Sequence, residues 1–151
     1  MRALVGPLAA GWMMAADAVA QDRVVAYRIV NGETIPASLT GTPGNAEAGR
    51  TLYFDRDRTA CSVCHGSPGG PGAETLDGTS APALNGIGAR MAEGTIRLWL
   101  VAPQVLNPET VMPPYYGLGQ RDDPQDPRFG EPLLTAAEIE DLVAYLMQSS
   151  P

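Results

Sequence analysis

The sequence predicts a mostly α-helical fold, and three observations support this class. Near the C-terminus, Thr135 is followed three positions later by Glu138, the pattern of a helix-capping box. Apolar side chains then recur at helical spacing at Ile139, Leu142, Val143, Leu146 and Met147. A second helical segment, NAEAGRTLYF, has Asn45 at its start as the expected N-cap. The 17 glycines and 14 prolines interrupt most of the remaining chain, so we expect short helices joined by irregular loops.

An extended N-terminal arm is predicted over residues 21–44. Apolar and polar residues alternate there around Asn31 and Gly32, a dipeptide that favours a tight turn. Pro36 and Pro43 limit any sheet. The arm is too polar to form a core of its own.

The segments between the two predicted helices differ in character. GTIRLWLVAP predicts a short helix that ends at Pro103 and turns Ile96, Trp99 and Leu100 towards the core. GSPGGPGAETLDGTSAP, which follows His65, has almost no apolar side chains and predicts a surface loop.

The first twenty residues resemble a secretory signal. Arg2 supplies the positive charge, ALVGPLAAGWMMAA is a short apolar run, and AVA ending at Ala20 places small residues at a cleavage site. We therefore expect residues 1–20 to be removed, leaving an exported chain with no membrane span. The formal net charge of −7 argues against nucleic acid as a partner and suits docking to a basic protein.

Both cysteines and the single histidine lie within the five residues CSVCH. Cys-x-x-Cys-His is the attachment sequence of c-type haem. Cys61 and Cys64 are spaced to reach the two vinyl groups of one porphyrin edge, and His65 follows where its imidazole can bind the iron. A redox-active dithiol, a zinc site and a plain disulfide are the alternatives, but the βαβ context of the first is lacking and zinc normally takes four such ligands.

A second axial ligand to the iron is expected to be a methionine, because no second histidine exists. Met147 lies on the apolar stripe of the last helix, and Met91 precedes a helix where it can fill a gap. Met112 stands in TVMPPYYG, a segment without helical period whose prolines stiffen the backbone. Met112 is therefore the predicted ligand, and core packing is the alternative for it.

A histidine and methionine pair favours ferrous iron and fills both axial positions. Electron transfer is then the expected task, and substrate chemistry at the metal is not. A haem-based ligand sensor is an alternative of another class, and it requires an open or labile sixth position.

The chain as a whole resembles the SoxX family, the small cytochrome c subunits of SoxAX complexes in bacterial thiosulfate oxidation. The resemblance rests on VNGETIPASLTGTPGNAEAGR, CSVCH, APALNGIGAR, LNPETVMPPYYG and LTAAEIEDLVAYL, in that order. It implies a class I-like cytochrome c fold over residues 45–151 with one covalent haem c. Cys61 and Cys64 are then the thioether positions, and His65 and Met112 the axial ligands. The Gly/Pro-rich stretch after His65 departs from a typical member.

The same resemblance implies a role and a set of partners. Family members are periplasmic and pair with the haem protein SoxA, whose cysteine carries out catalysis. The complex, an L-cysteine S-thiosulfotransferase, joins thiosulfate to a cysteine of the carrier SoxYZ. Electrons leave through SoxX to a downstream cytochrome. With Cys61 and Cys64 committed to haem, this chain has no cysteine left for sulfur transfer. A freely diffusing mono-haem electron carrier is the alternative.

Several other residues carry weaker expectations. Trp99 is expected in the core or against the ring, and Tyr115 and Tyr116 either hydrogen-bond near the Met112 loop or touch a partner. Arg90 and Arg97 are expected to be exposed rather than bound to haem propionates. The N-terminal arm is expected to lie on SoxA.

Overall fold

The computed structural model describes residues 24–66, 81–117, 124–125 and 130–149. These contain six helices: α1 (Ala46–Phe54), α2 (Cys61–His65), α3 (Ile87–Arg90), α4 (Glu93–Val101), α5 (Pro103–Leu106) and α6 (Ala136–Gln148). The described ranges hold no β-strand, only one isolated bridge between Val30 and Thr34. The predicted signal, and most of the predicted surface loop after His65, lie outside these ranges. The mostly α-helical class is confirmed.

The two helices that the sequence predicts best, α1 and α6, pack against each other. Asn45 caps α1 by accepting hydrogen bonds from the backbone N–H groups of Glu47 and Ala48, and Thr135 with Glu138 forms the predicted capping box of α6. At Gly49 the two backbones approach so closely that an added Cβ would collide with the carbonyl oxygen of Asp141. A glycine is therefore needed at this crossing.

Helix α4 crosses the same core but presents a face that differs from the prediction. Ile96 and Leu100 are buried as expected, whereas Trp99 is only half-buried. Arg97 and Leu98 are fully buried beside Ile96 and Leu100. The helix ends at Val101, and Pro103 then occupies the first position of α5, where a missing N–H costs nothing.

The N-terminal arm packs on its own domain. Ile35 is 1% exposed and Leu39 is 9% exposed, so both belong to the core. Asn31 and Gly32 adopt left-handed backbone angles, as the predicted turn requires. Its apolar side chains complete the core between α4 and α6, and the expected contact with SoxA stays a prediction.

A buried ion pair holds the arm in place. Arg97 donates to both carboxylate oxygens of Glu140, at 2.8 and 2.9 Å, and to the backbone oxygen of Ile35 at 2.8 Å. The Leu39 N–H donates to Glu140 Oε1 at 2.9 Å. Arg97 is thus neither exposed nor free to bind a propionate.

Among the helices of the described ranges, none combines the length and the hydrophobicity needed to cross a bilayer.

Candidate haem site

The three residues of the attachment motif lie on one short helix. α2 consists of CSVCH alone, and Cys61 is buried within the core while Cys64 is exposed. Both cysteines are free thiols. A single turn thus presents two thiols and one imidazole, the donor set that covalent haem attachment requires.

The backbone on either side of α2 is conformationally unusual. Ala60, which precedes the turn, has a φ of 51°, and Gly66, which follows it, has φ 72° and ψ −155°. The conformation of Gly66 is essentially restricted to glycine. The chain therefore needs a glycine where it leaves α2.

Two buried tyrosines anchor the two ends of this turn. The Tyr115 hydroxyl donates to the Thr59 carbonyl at 2.7 Å, before the turn, and the Tyr53 hydroxyl donates to the Gly66 carbonyl at 2.8 Å, after it. Burial raises the pKa of both phenols, so both hydroxyls remain neutral donors. The left-handed and glycine-only conformations are therefore held by fixed hydrogen bonds.

The orientation of the imidazole is set by a backbone carbonyl. His65 Nδ1 lies 2.7 Å from the oxygen of Pro82, which can only accept a hydrogen bond. Nδ1 must therefore carry the proton, and in the neutral ring the lone pair is on Nε2. A second partner of this kind is what metal-binding histidines usually have, since it fixes both the tautomer and the ring plane.

The segment that carries Pro82 is braced by Arg90. Its guanidinium donates to the backbone oxygen of Asn85 at 2.7 Å and approaches those of Ala83 and Gly86 at 3.4 Å. In the described residues the side-chain oxygen of Asn85 is buried without a hydrogen-bond partner. Unpaired buried polar atoms are rare in proteins, so this oxygen is consistent with a site where a further group binds.

The chemistry of Cys61 disfavours the redox-dithiol alternative. Burial raises the pKa of its thiol, and hydrogen bonds from Thr59 and Tyr115 only partly offset this. A reactive thiol needs a lowered pKa, because the thiolate is the nucleophile. The raised pKa therefore disfavours Cys61 as the nucleophile of a redox-active dithiol.

Met112 lies in the irregular loop between α5 and α6, where it is partly buried against the core. Its backbone N–H donates to Thr110 Oγ1 and its carbonyl accepts from Gln104 Nε2, both at 3.2 Å. Met91 and Met147 are also partly buried against the core. Of the three methionines in the described residues, only Met112 lies in a segment outside helices and helix caps.

Sequence reasoning missed several residues that shape the site. Pro82, Asn85 and Tyr53 carry no sequence signal for their roles, which depend on contacts between distant segments. For Tyr115 and Tyr116, one of the two expected roles was hydrogen bonding, and both hydroxyls make hydrogen bonds. The Tyr115 hydroxyl donates to Thr59, and the Tyr116 hydroxyl accepts from the Val25 N–H at 2.8 Å.

Comparison with known proteins places this architecture. A family model described as cytochrome c matches residues 46–150. This family is defined by an electron-transfer domain with covalently bound haem c. A search of curated proteins gave no significant match. Among solved structures, a chain of the crystal structure of SoxXA from P. pantotrophus is similar with a TM-score of 0.63 and 30% identity, over 83% of this chain and 95% of that one. The chain belongs to the cytochrome c family, as a SoxX-type member.

Proposed function

We propose that this chain transfers electrons through one haem c attached at Cys61 and Cys64, with His65 and Met112 as its axial ligands. The observation that most supports the proposal is the hydrogen bond from His65 Nδ1 to the Pro82 carbonyl oxygen. His65 lies on the same helical turn as both thiols. When bound, the haem supplies a one-electron couple.

The protein's own residues prepare that site in three ways. The glycine-specific backbone conformation of Gly66 sets the direction in which the chain leaves the attachment turn. Pro82 holds the imidazole with Nε2 available, and Tyr53 and Tyr115 fix the two flanking carbonyls. With His65 and Met112 both holding the haem iron, no position would remain open, which would favour electron relay over binding of exogenous ligands.

The assembly we propose is a heterodimer with a SoxA-like haem subunit that bears the catalytic cysteine. In it, this chain is the non-catalytic electron-transfer subunit of an L-cysteine S-thiosulfotransferase. SoxYZ is a transient partner, and a downstream cytochrome accepts the electrons. The likeness to a SoxXA structure supports this assignment, as does the commitment of both cysteines to haem.

Export belongs to the same proposal. Residues 1–20 act as a cleaved signal, residues 21–44 form the arm and residues 45–151 the cytochrome domain, and the mature chain works in the periplasm. Haem attachment outside the cytoplasm requires such export.

The first test is haem attachment. The full chain, expressed with its signal in a host that matures c-type cytochromes, is expected to give a haem-stained band after denaturing electrophoresis. A Cys61→Ala, Cys64→Ala double variant is expected to give none, and Ser62→Ala is the matched control in the same turn. A stained double variant would contradict attachment at these thiols.

The second test identifies the partner. The tagged protein is isolated under native conditions from thiosulfate-grown source cells, followed by haem staining and mass spectrometry of co-purifying bands. A stoichiometric second haem protein with a catalytic cysteine is the expected result. A lone haem-stained protein without thiosulfate-oxidising activity would reject the SoxAX assignment and favour a freely diffusing carrier. Rapid binding of carbon monoxide to the ferrous protein would instead favour a sensor.

A further inference from the structure

The segment from Met112 to Tyr115 is a stiff connection between the predicted ligand and a firmly held tyrosine. Two consecutive prolines, Pro113 and Pro114, separate the two residues, and each ring restricts φ to a narrow range. If Tyr115 moves, Met112 moves with it, because the backbone between them has few torsion angles that can absorb the movement.

Tyr115 is held at three points. Its backbone N–H donates to the Leu100 carbonyl at 2.9 Å, and its carbonyl accepts from the Leu134 N–H at 2.9 Å. Its side chain, 5% exposed, crosses the core to donate to the Thr59 carbonyl at 2.7 Å. The first two contacts fix the backbone to α4 and to the segment before α6.

The third contact reaches the other side of the site. Thr59 lies two residues before Cys61, and its own hydroxyl donates to the Leu52 carbonyl at the end of α1 at 2.5 Å. The acceptor of Tyr115 is thus rigidly attached both to α1 and to the start of the haem-attachment turn.

We propose that Tyr115 is a positioning residue for the sixth ligand, whose hydroxyl bond to Thr59 sets the distance between the Met112 loop and the attachment turn. The inference rests on the proposed role of Met112. Tyr115 is not itself a ligand in this proposal; its bond to Thr59 would limit how far the Met112 loop can move from the attachment turn.

The test uses the haem-loaded, full-length protein and imidazole as an external ligand that competes with the methionine sulfur for ferric iron. In Tyr115→Phe the apparent affinity for imidazole is expected to rise about three- to tenfold, the range that corresponds to loss of one buried hydrogen bond. The reduction potential is expected to fall, because a weakened sulfur bond stabilises ferrous iron less.

Tyr116→Phe is the matched control. Tyr116 is also buried and its hydroxyl also makes a hydrogen bond, but as the acceptor from the Val25 N–H of the N-terminal arm and not to the segment before the attachment turn. Its imidazole affinity is expected to stay within about twofold of the wild type. An unchanged imidazole affinity in Tyr115→Phe would overturn the inference. An equal rise in both variants would also overturn it, because it would mean that losing any buried tyrosine hydroxyl loosens the domain.

Two further variants separate the possible failures. Met112→Ala is expected to lose the far-red sulfur-to-iron absorption band; if it keeps the band, the ligand assignment itself is wrong, and the inference falls with it. If Met112→Ala loses the band while Tyr115→Phe behaves as wild type, only the positioning role is rejected. If Tyr115→Phe gives no folded protein, Pro114→Ala replaces it, and an unchanged imidazole affinity there overturns the proposal.

Discussion

The burial of Arg97 could not be predicted from the sequence. A charged residue in the middle of an apolar helix suggests an exposed side chain, yet Arg97 is 0% exposed and Glu140, its partner on α6, is 2% exposed. Each charge lies on an otherwise apolar helix face, because buried apolar residues follow Arg97 by three and four positions and flank Glu140 at four positions before and three after. Two opposite charges on two such faces are a sequence signal for a buried pair, but the pairing of the faces is known only from the tertiary structure.

Replacing Arg97 with Met is expected to lower the free energy of unfolding by about 3–5 kcal/mol, because Glu140 then remains buried without its counter-charge. Urea denaturation of the haem-loaded protein measures this. Glu93→Gln is the matched control: Glu93 also bonds Arg97, but its side chain is 57% exposed, so a loss below about 1 kcal/mol is expected. Equal losses in the two variants would show that burial of the pair is not the cause.

At the scale of elements, α1, α6 and the helical turn of CSVCH could be predicted, but the contacts that hold this turn could not. Capping residues and apolar periodicity are local signals, and both helices carry them in full. Hydrogen bonds join α2 and its flanking residues to distant segments: His65 to Pro82, 17 residues away, and Thr59, just before α2, to Tyr115, 56 residues away. The sequence therefore identifies CSVCH chemically but contains no local signal for Pro82 or the two tyrosines that hold it.

The close crossing of α1 and α6 makes Gly49 a sensitive position. Gly49→Ala raises intrinsic helix propensity by about 1 kcal/mol, but its methyl group meets the Asp141 carbonyl. We expect a net loss of about 1–3 kcal/mol in the free energy of unfolding, typical of overpacking. Thr51→Ala, at an exposed position of the same helix, is expected to be neutral or stabilising. A stabilised Gly49→Ala would mean that the helices separate at little cost.

The capping box of α6 is expected to make stability depend on pH. Burial raises the pKa of Glu138, but hydrogen bonds from Arg58 and Thr135, together with the Arg58 charge, outweigh this and leave the pKa below its usual 4.5. A carboxyl whose pKa is lowered by folding stabilises the protein above its unfolded pKa. This stabilisation is lost as the pH falls through the folded pKa.

Glu138→Gln is therefore expected to be less stable than the wild type at pH 7, by roughly 0.5–1 kcal/mol for a partly exposed pair. The difference is expected to shrink below about pH 4, where the wild-type carboxyl also becomes neutral. Chemical denaturation at a series of pH values measures both. A difference that stays constant with pH would assign the effect to cap geometry alone.

The whole molecule is more tightly integrated than its sequence suggests. The arm alternates apolar and polar residues and contains two prolines, and this pattern predicts an appendage without a core of its own. In the structure, Ile35 and Leu39 fill the gap between α4 and α6, and the buried Arg97–Glu140 pair bonds both segments of arm backbone. Val24 and Ile29 pack, partly buried, against the same core, so apolar side chains along the arm join it to the domain.

If the arm is part of the cooperative unit, Ile35→Ala destabilises the entire domain. Ile35 is 1% exposed, so we expect a loss of about 2–5 kcal/mol from the lost burial and the resulting cavity. Urea denaturation followed by helical circular dichroism and by the haem absorption is expected to show one transition, shifted equally in both signals. Ala37→Ser, at an exposed arm position, is expected to leave the midpoint unchanged. An unshifted midpoint in Ile35→Ala would mean that the arm detaches without unfolding the helices, and the arm would then be free to serve as a separate contact for a partner.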